Sequence, residues 1–290
     1  MSIYDIFSIY HFHIFLLIIS FIFLILVIKK YFRNSQTFYA HILFNIIIIS
    51  FFHPLGYSLY WKKEEDKNLN DSLCDIQGFI IIFSECGIDL WMINLLHTLY
   101  LMKFKNQNLT LQTNKRLLYL YYFTGYIIPL IISCIFLIKK VYNMSKLNYC
   151  LIKIKDKDKI FYIFYFVHVL PILYCIFFFY QMILFYNKMK KFLKSIDFLK
   201  FFYLLIKLAI FPFFLLLGCI LFSITNFQNK DKSILIILAG LTYSLCCIFF
   251  SFLFFFDLLI YNCCKKKSNE ILFDSSLSQD SINELKYFNN

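Results

Sequence analysis

Seven apolar runs, each long enough to cross a bilayer, divide this sequence. They fall near residues 6–28, 37–60, 75–102, 117–138, 160–186, 201–226 and 233–262, with short polar connections between them. About 20 apolar residues in a helix span the ~30 Å hydrocarbon core. The pattern therefore predicts an all-α membrane protein, a seven-transmembrane helix bundle. The runs leave no room for a separate soluble domain. The expected organisation is a seven-transmembrane domain over residues 1–264, followed by a polar, serine-bearing tail over residues 265–290 that is expected to be disordered.

Lys29, Lys30 and Arg33 follow the first run, and Asp5 precedes it. Basic residues favour the cytoplasmic side, so this asymmetry predicts the N-terminus outside and, after seven spans, the C-terminus in the cytoplasm. The first run is too long for a secretory h-region and no small-residue cleavage site follows it, so it is expected to remain as a span. The acidic cluster Glu64, Glu65 and Asp66 sorts to the outside; the lysines between Lys139 and Lys159 run against the bias.

The third run breaks the apolar pattern. It carries Glu85 and Asp89, then Asn94, His97 and Tyr100. An ionised group at the bilayer centre costs at least about 2.5 kcal/mol on insertion scales. Residues four apart share a helix face, and a 1.5 Å rise puts Glu85 and Asp89 about 16 and 22 Å below Cys74. Two like charges this close in low dielectric do not both ionise easily without a donor or cation nearby. A cavity floor or switch network is the functional reading, and an interhelix hydrogen-bond network the structural one. Pro54, Pro129, Pro171 and Pro212 all lie inside expected spans, where they can bend helices around a cavity.

Composition agrees with the pattern. The chain of 290 residues is 61% hydrophobic and 22% aromatic, with mean hydropathy +0.69, outside the range of soluble domains. An AT-rich coding bias accounts for the Phe, Ile, Tyr, Lys and Asn excess without invoking function. The formal charge of +12 reads as membrane topology. No nucleic-acid partner is expected, because no basic patch stands on a soluble domain. Of the ten cysteines, Cys74 and Cys150 fall in outside positions. The oxidising side allows a disulfide between them, with two unpaired thiols as the alternative. Glycosylation sequons at Asn70 and Asn143 face outside in this topology, whereas the one at Asn108 faces inside. Cys263 and Cys264 precede three lysines after the last run, a setting for S-palmitoylation and for anionic membrane lipids; an ordinary basic stop is the alternative.

His13, His53 and His168 fall in the outer halves of spans 1, 2 and 5. With Glu85 they could in principle hold zinc for an intramembrane hydrolase. No two histidines stand at i, i+4 and the last span has none, so hydrogen-bonded histidines are expected instead, with no metal, no cofactor and no enzymatic activity. Span 7 lacks a lysine between Ser233 and Tyr261, which removes a retinal attachment site.

The string Cys74-x-x-Gln77-Gly78-Phe79, then Leu90-Trp91, then Leu99-Tyr100, resembles G-protein-coupled receptors of the cyclic-AMP-receptor-like and secretin-like branches. Gly125 with Pro129, Cys150-Leu151-Ile152, and Lys207-Leu208 with Phe211-Pro212 extend the likeness over roughly residues 40–260. Departures are the lack of a tryptophan beside Cys150, of an acid in span 2, and of polar residues at Cys246 and Phe250. The resemblance implies a plasma-membrane receptor for an unknown extracellular ligand. Glu85, Asp89, Trp91, His53 and His168 would serve the pocket or switch, the Cys74–Cys150 loop would act as lid and Pro212 as hinge. His97, Tyr100, Lys188, Lys190, Lys191 and Lys194 would face a heterotrimeric G protein. A seven-span transporter or channel, with Glu85 and Asp89 as proton or cation site, is the alternative.

Overall fold

The computed structural model describes residues 3–34, 37–59, 67–104, 109–144, 150–152 and 241–255, with helical positions between 169 and 184. Helices dominate: α1 (Ile3–Asn34), α2 (Phe38–Ser58), α3 (Lys67–Phe104), α4 (Lys115–Tyr122) and α5 (Ile128–Ile138), then α6 (Leu241–Phe255). A π-helical turn, Phe123–Ile127, joins α4 to α5 as one continuous rod. Four helical segments are long and apolar enough to cross a membrane: His11–Phe32, Phe38–Ser58, Ser72–Met102 and Lys115–Ile138. They match the first four expected spans, and the chain is an integral membrane protein of helical architecture. The shorter α6 lies within the last expected run. The runs near 160–186 and 201–226 lie largely or wholly outside the described residues. Residues 1–251 form one unit and residues 252–290 another.

α3 is the central strut. In its most apolar window 72% of the residues are buried, against 22% for α1, so α3 is enclosed by its neighbours while α1 leaves most of its surface uncovered. α2, α5 and the π turn pack directly on α3, and α1 packs on α2. α6 reaches both α1 and α2, since the Cys247 thiol lies 4.0 Å from the Ser20 carbonyl oxygen and 3.7 Å from that of Ile47.

The helix ends are held by identifiable groups. Thr37 caps α2, its Oγ1 accepting from the Ala40 N–H at 3.2 Å. The backbone of Thr37 also bridges that of Thr110, tying the connection before α2 to the one before α4. At the opposite end of the bundle, α5 stops where Lys140 turns left-handed (φ 51°). The Val141 N–H returns to the Phe136 carbonyl at 3.3 Å, a helix-terminating arrangement that aims the chain into a short antiparallel hairpin. That hairpin, β1 (Tyr142–Met144) with β2 (Cys150–Ile152), pairs Tyr142 with Ile152 and Met144 with Cys150. It is the one sheet among the described residues.

The π turn has a local cause. Pro129 has no N–H to give the carbonyl of residue 125, and its ring crowds that oxygen; the rod relaxes by widening, as π turns do. A Cβ on Gly125 would come within 2.4 Å of the Trp91 indole. The same Gly125 carbonyl lies 3.5 Å from where a Cβ on Gly87 would stand, so α3 and the rod meet nearly backbone to backbone. Trp91 is fully buried and cannot retreat. Gly125→Ala is therefore expected to lose about 1–3 kcal/mol, the usual range for overpacking, read as a lower melting temperature of the purified chain in detergent.

Candidate functional site

Two layers of polar structure lie along α3. The upper layer explains the string Cys74-x-x-Gln77-Gly78 residue by residue. Cys74 is disulfide-bonded to Cys150, with Cα atoms 5.1 Å apart. Three residues on, one helical turn, Gln77 lies fully buried on the same side. Its Oε1 accepts from the Cys150 N–H at 2.9 Å, and its Nε2 donates to the carbonyls of Gly56, at 3.1 Å, and of Leu59. One amide thus joins the hairpin to the frayed end of α2, satisfying carbonyls that a helix terminus leaves open. Gly78 clears space for the Tyr142 ring, which a Cβ would approach to 2.4 Å. The Tyr142 hydroxyl donates to the Ser133 carbonyl at 3.3 Å. Burial pushes the phenol's pKa well above its usual value, which keeps that donor protonated. Beneath it Ile82, Cys86, Ile132 and Phe136 form an apolar seat.

The lower layer is a buried polar cluster that joins four helices. His53 of α2 sits between an acid and a hydroxyl: its Nε2 is 3.3 Å from Glu85 Oε1 of α3 and its Nδ1 is 3.0 Å from Ser244 Oγ of α6. Ser244 Oγ is in turn 3.5 Å from His13 Nδ1 of α1. The Tyr57 ring lies 4.8 Å from that of His13 and 4.9 Å from that of His53, centroid to centroid. One turn along α3 from Glu85, Asp89 accepts from the Tyr243 hydroxyl, 3.3 Å from each carboxylate oxygen. His13, His53, Asp89 and Ser244 are fully buried and Glu85 nearly so, at 3% exposure. Buried carboxylates need such donors, and α2 and α6 supply them.

The expected site residues divide accordingly. His53, Glu85 and Asp89 are brought into the cluster. Trp91 is not: two residues beyond Asp89 it points to the other side of α3, against Tyr122 and Tyr126, at centroid distances of 5.9 and 5.4 Å. No described residue partners its indole N–H. His97 pairs with the Tyr121 hydroxyl at 2.9 Å, within a network in which Asn94 and Thr124 exchange hydrogen bonds. Tyr100 lies 6.3 Å from Phe177, ring to ring. Asn70 lies near the start of α3 and Asn143 in β1, both at the disulfide end of the bundle. His168, Lys188, Lys190, Lys191, Lys194, Pro212, Cys263 and Cys264 lie outside the described residues. Among the described residues no three His, Cys, Asp or Glu side chains converge as metal ligands.

Sequence reasoning missed Tyr57, Tyr142, Tyr243 and Ser244. For the last span the signal was present. Ser244, Cys247 and Ser251 recur at helical spacing through a run of Leu, Ile and Phe, which marks the buried face of α6, and all three are buried. Fold and site together define an integral membrane protein whose central helix is clamped at one end and carries a polar, interhelical core. The sequence matches no family model and no curated protein.

Proposed function

We propose that this chain is a cell-surface G-protein-coupled receptor with seven spans and an outside N-terminus, which passes an extracellular ligand's signal to a heterotrimeric G protein. The observation that carries the reading is the clamp on α3. Disulfide, Gln77 amide and Tyr142 ring fasten a hairpin over the helix head, and a polar cluster joins α1, α2, α3 and α6 farther down. A lid of fixed position above polar groups shared by several helices suits a bundle that responds to a ligand. The ligand must bind one arrangement better than the other, because equal affinity shifts nothing. Glu85 and Asp89 would lie at the pocket floor with His53. Pro212 would hinge span 6, and His97, Tyr100 and the lysines 188, 190, 191 and 194 would face the Gα subunit. Asn70 and Asn143 would carry glycans, and acylated Cys263 and Cys264 would hold the tail at the inner leaflet.

A transporter or channel is the second reading, favoured by one observation: titratable groups of α1, α2 and α3 stand in a continuous chain. The two separate in one experiment. Cells co-expressing the chain with a set of Gα subunits are exposed to a ligand panel; nucleotide exchange on one Gα, lost in Cys150→Ser, is the expected result. Exchange on none of them, together with uptake or current in reconstituted vesicles that disappears in Glu85→Gln, would overturn the receptor reading in favour of the second.

A further inference from the structure

We propose that His13, Ser244, His53 and Glu85 form a proton wire, a built site for one exchangeable proton that can be held at the α1 end or at the α3 end. The geometry is a single file of hydrogen-bonding atoms. It runs from His13 Nδ1 to Ser244 Oγ at 3.5 Å, on to His53 Nδ1 at 3.0 Å, and from His53 Nε2 to Glu85 Oε1 at 3.3 Å. The Ser244–His13 step is the longest and therefore the weakest.

The hydroxyl in the middle dictates the logic. Ser244 has one proton to donate, so it donates to one imidazole and accepts from the other. In the first arrangement His13 Nδ1–H donates to Ser244, Ser244 donates to His53 Nδ1, and His53 Nε2–H donates to an ionised Glu85. In the second every bond is reversed: a protonated Glu85 donates to His53 Nε2, His53 Nδ1–H donates to Ser244, and Ser244 donates to a bare His13 Nδ1. With a second proton on His13 Nε2, so that His13 stays a neutral imidazole after giving up the Nδ1 proton, the two differ by three short hops. The proton on His13 Nδ1 passes to Ser244, that of Ser244 to His53, and that on His53 Nε2 to Glu85. Three bonds to hydrogen break, three form, and the proton count is unchanged. When His13 holds two ring protons, the hops convert a separated His13⁺ and Glu85⁻ into two neutral groups. Opposite charges deep in a bilayer attract strongly, so this exchange changes how α1 is drawn toward α3.

Other titratable groups face the wire from the elements packed around it, including Tyr142 of β1, which Glu85 influences electrostatically. On α2 the Tyr57 ring packs against both imidazoles. On α6 the Tyr243 ring lies 5.4 Å from that of His53, with its hydroxyl on Asp89. On α3 Asp89 is the neighbouring acid, one turn away. The wire joins helices of the bundle whether or not the chain couples to a G protein.

Infrared difference spectroscopy tests it, on the full chain purified into lipid nanodiscs and titrated with acid. The expected result is a protonated-carboxyl band that is lost in Glu85→Gln and whose pH midpoint depends on the members of the wire beyond His53. Ser244→Ala and His13→Gln are each expected to move that midpoint by about a factor of ten in proton affinity, one pH unit. Ser244→Thr, which keeps a hydroxyl, is expected to restore it. The wire is overturned if the band survives Glu85→Gln, or if its midpoint stays within twofold of wild type in whichever of Ser244→Ala and His13→Gln folds. Because the readout needs no G protein, its failure leaves the receptor reading untouched, and a failure of coupling leaves the wire untouched.

Discussion

Glu85→Ala is expected to lower the stability of the bundle by about 1–3 kcal/mol, the range for leaving a buried hydrogen-bonding group without its partner. The substitution leaves His53 Nε2 facing a cavity with no carboxylate beside it. Glu85→Gln is expected to fall between wild type and Ala, because the amide oxygen can still accept from His53 Nε2–H. The discriminating variant is the double one. If the damage in Glu85→Ala is an orphaned imidazole rather than a lost volume, then Glu85→Leu with His53→Leu, which removes both polar groups and fills the space, is expected to recover at least half of the loss. Thermal unfolding of the purified chain in detergent reads these proteins together with the single variants Glu85→Leu and His53→Leu, which close the double-mutant cycle. Coupling between the two positions of about 0.5–3 kcal/mol is the range for residues in contact; additive losses would mean that the 3.3 Å contact contributes nothing.

The apolar runs foretold where α1, α2, α3, the α4–α5 rod and α6 lie because span length is a one-dimensional property. The polar clusters are not one-dimensional, and that is where the sequence stopped. Glu85 and Asp89 announced themselves by their cost in a membrane, and their shared face follows from helical spacing. Their partners do not, because His53 and Ser244 are 191 residues apart and meet only through the rotation of two helices about their axes. Trp91 shows the same lesson from the other side. Grouped with Glu85 and Asp89 through the family resemblance, it stands two residues past Asp89, about 200° around the helix, and packs on the π turn instead. α3 begins at Lys67, well before its apolar stretch, because helical hydrogen bonding continues where hydropathy has ended. The π turn was half legible: Pro129 stands four residues after Gly125, but whether a rod kinks or widens there depends on what Trp91 allows.

Breaking the Cys74–Cys150 bridge is expected to act locally, and its size follows from what the unfolded state looks like in a membrane. In water, a bridge across 76 residues would contribute about 4 kcal/mol by constraining the unfolded chain. Here most of that loop is α3 and the α4–α5 rod, which stay helical in lipid because their backbone groups have no other partners. Only the segments flanking the hairpin gain freedom, so about 2 kcal/mol is the expected loss. The Gln77 amide and the Tyr142 ring still hold the hairpin after the sulfur link is cut. Cys150→Ser is therefore expected to leave the bundle folded while its lid opens more often. Hydrogen exchange at the amide of residue 150, which donates to Gln77, reports that opening: about 30-fold faster exchange corresponds to 2 kcal/mol. Adding Gln77→Ala is expected to bring that amide to the rate of an open loop, with amides in the middle of α3 still protected. Loss of protection along all of α3 in Cys150→Ser alone would contradict a local clamp and make the disulfide a determinant of the whole fold.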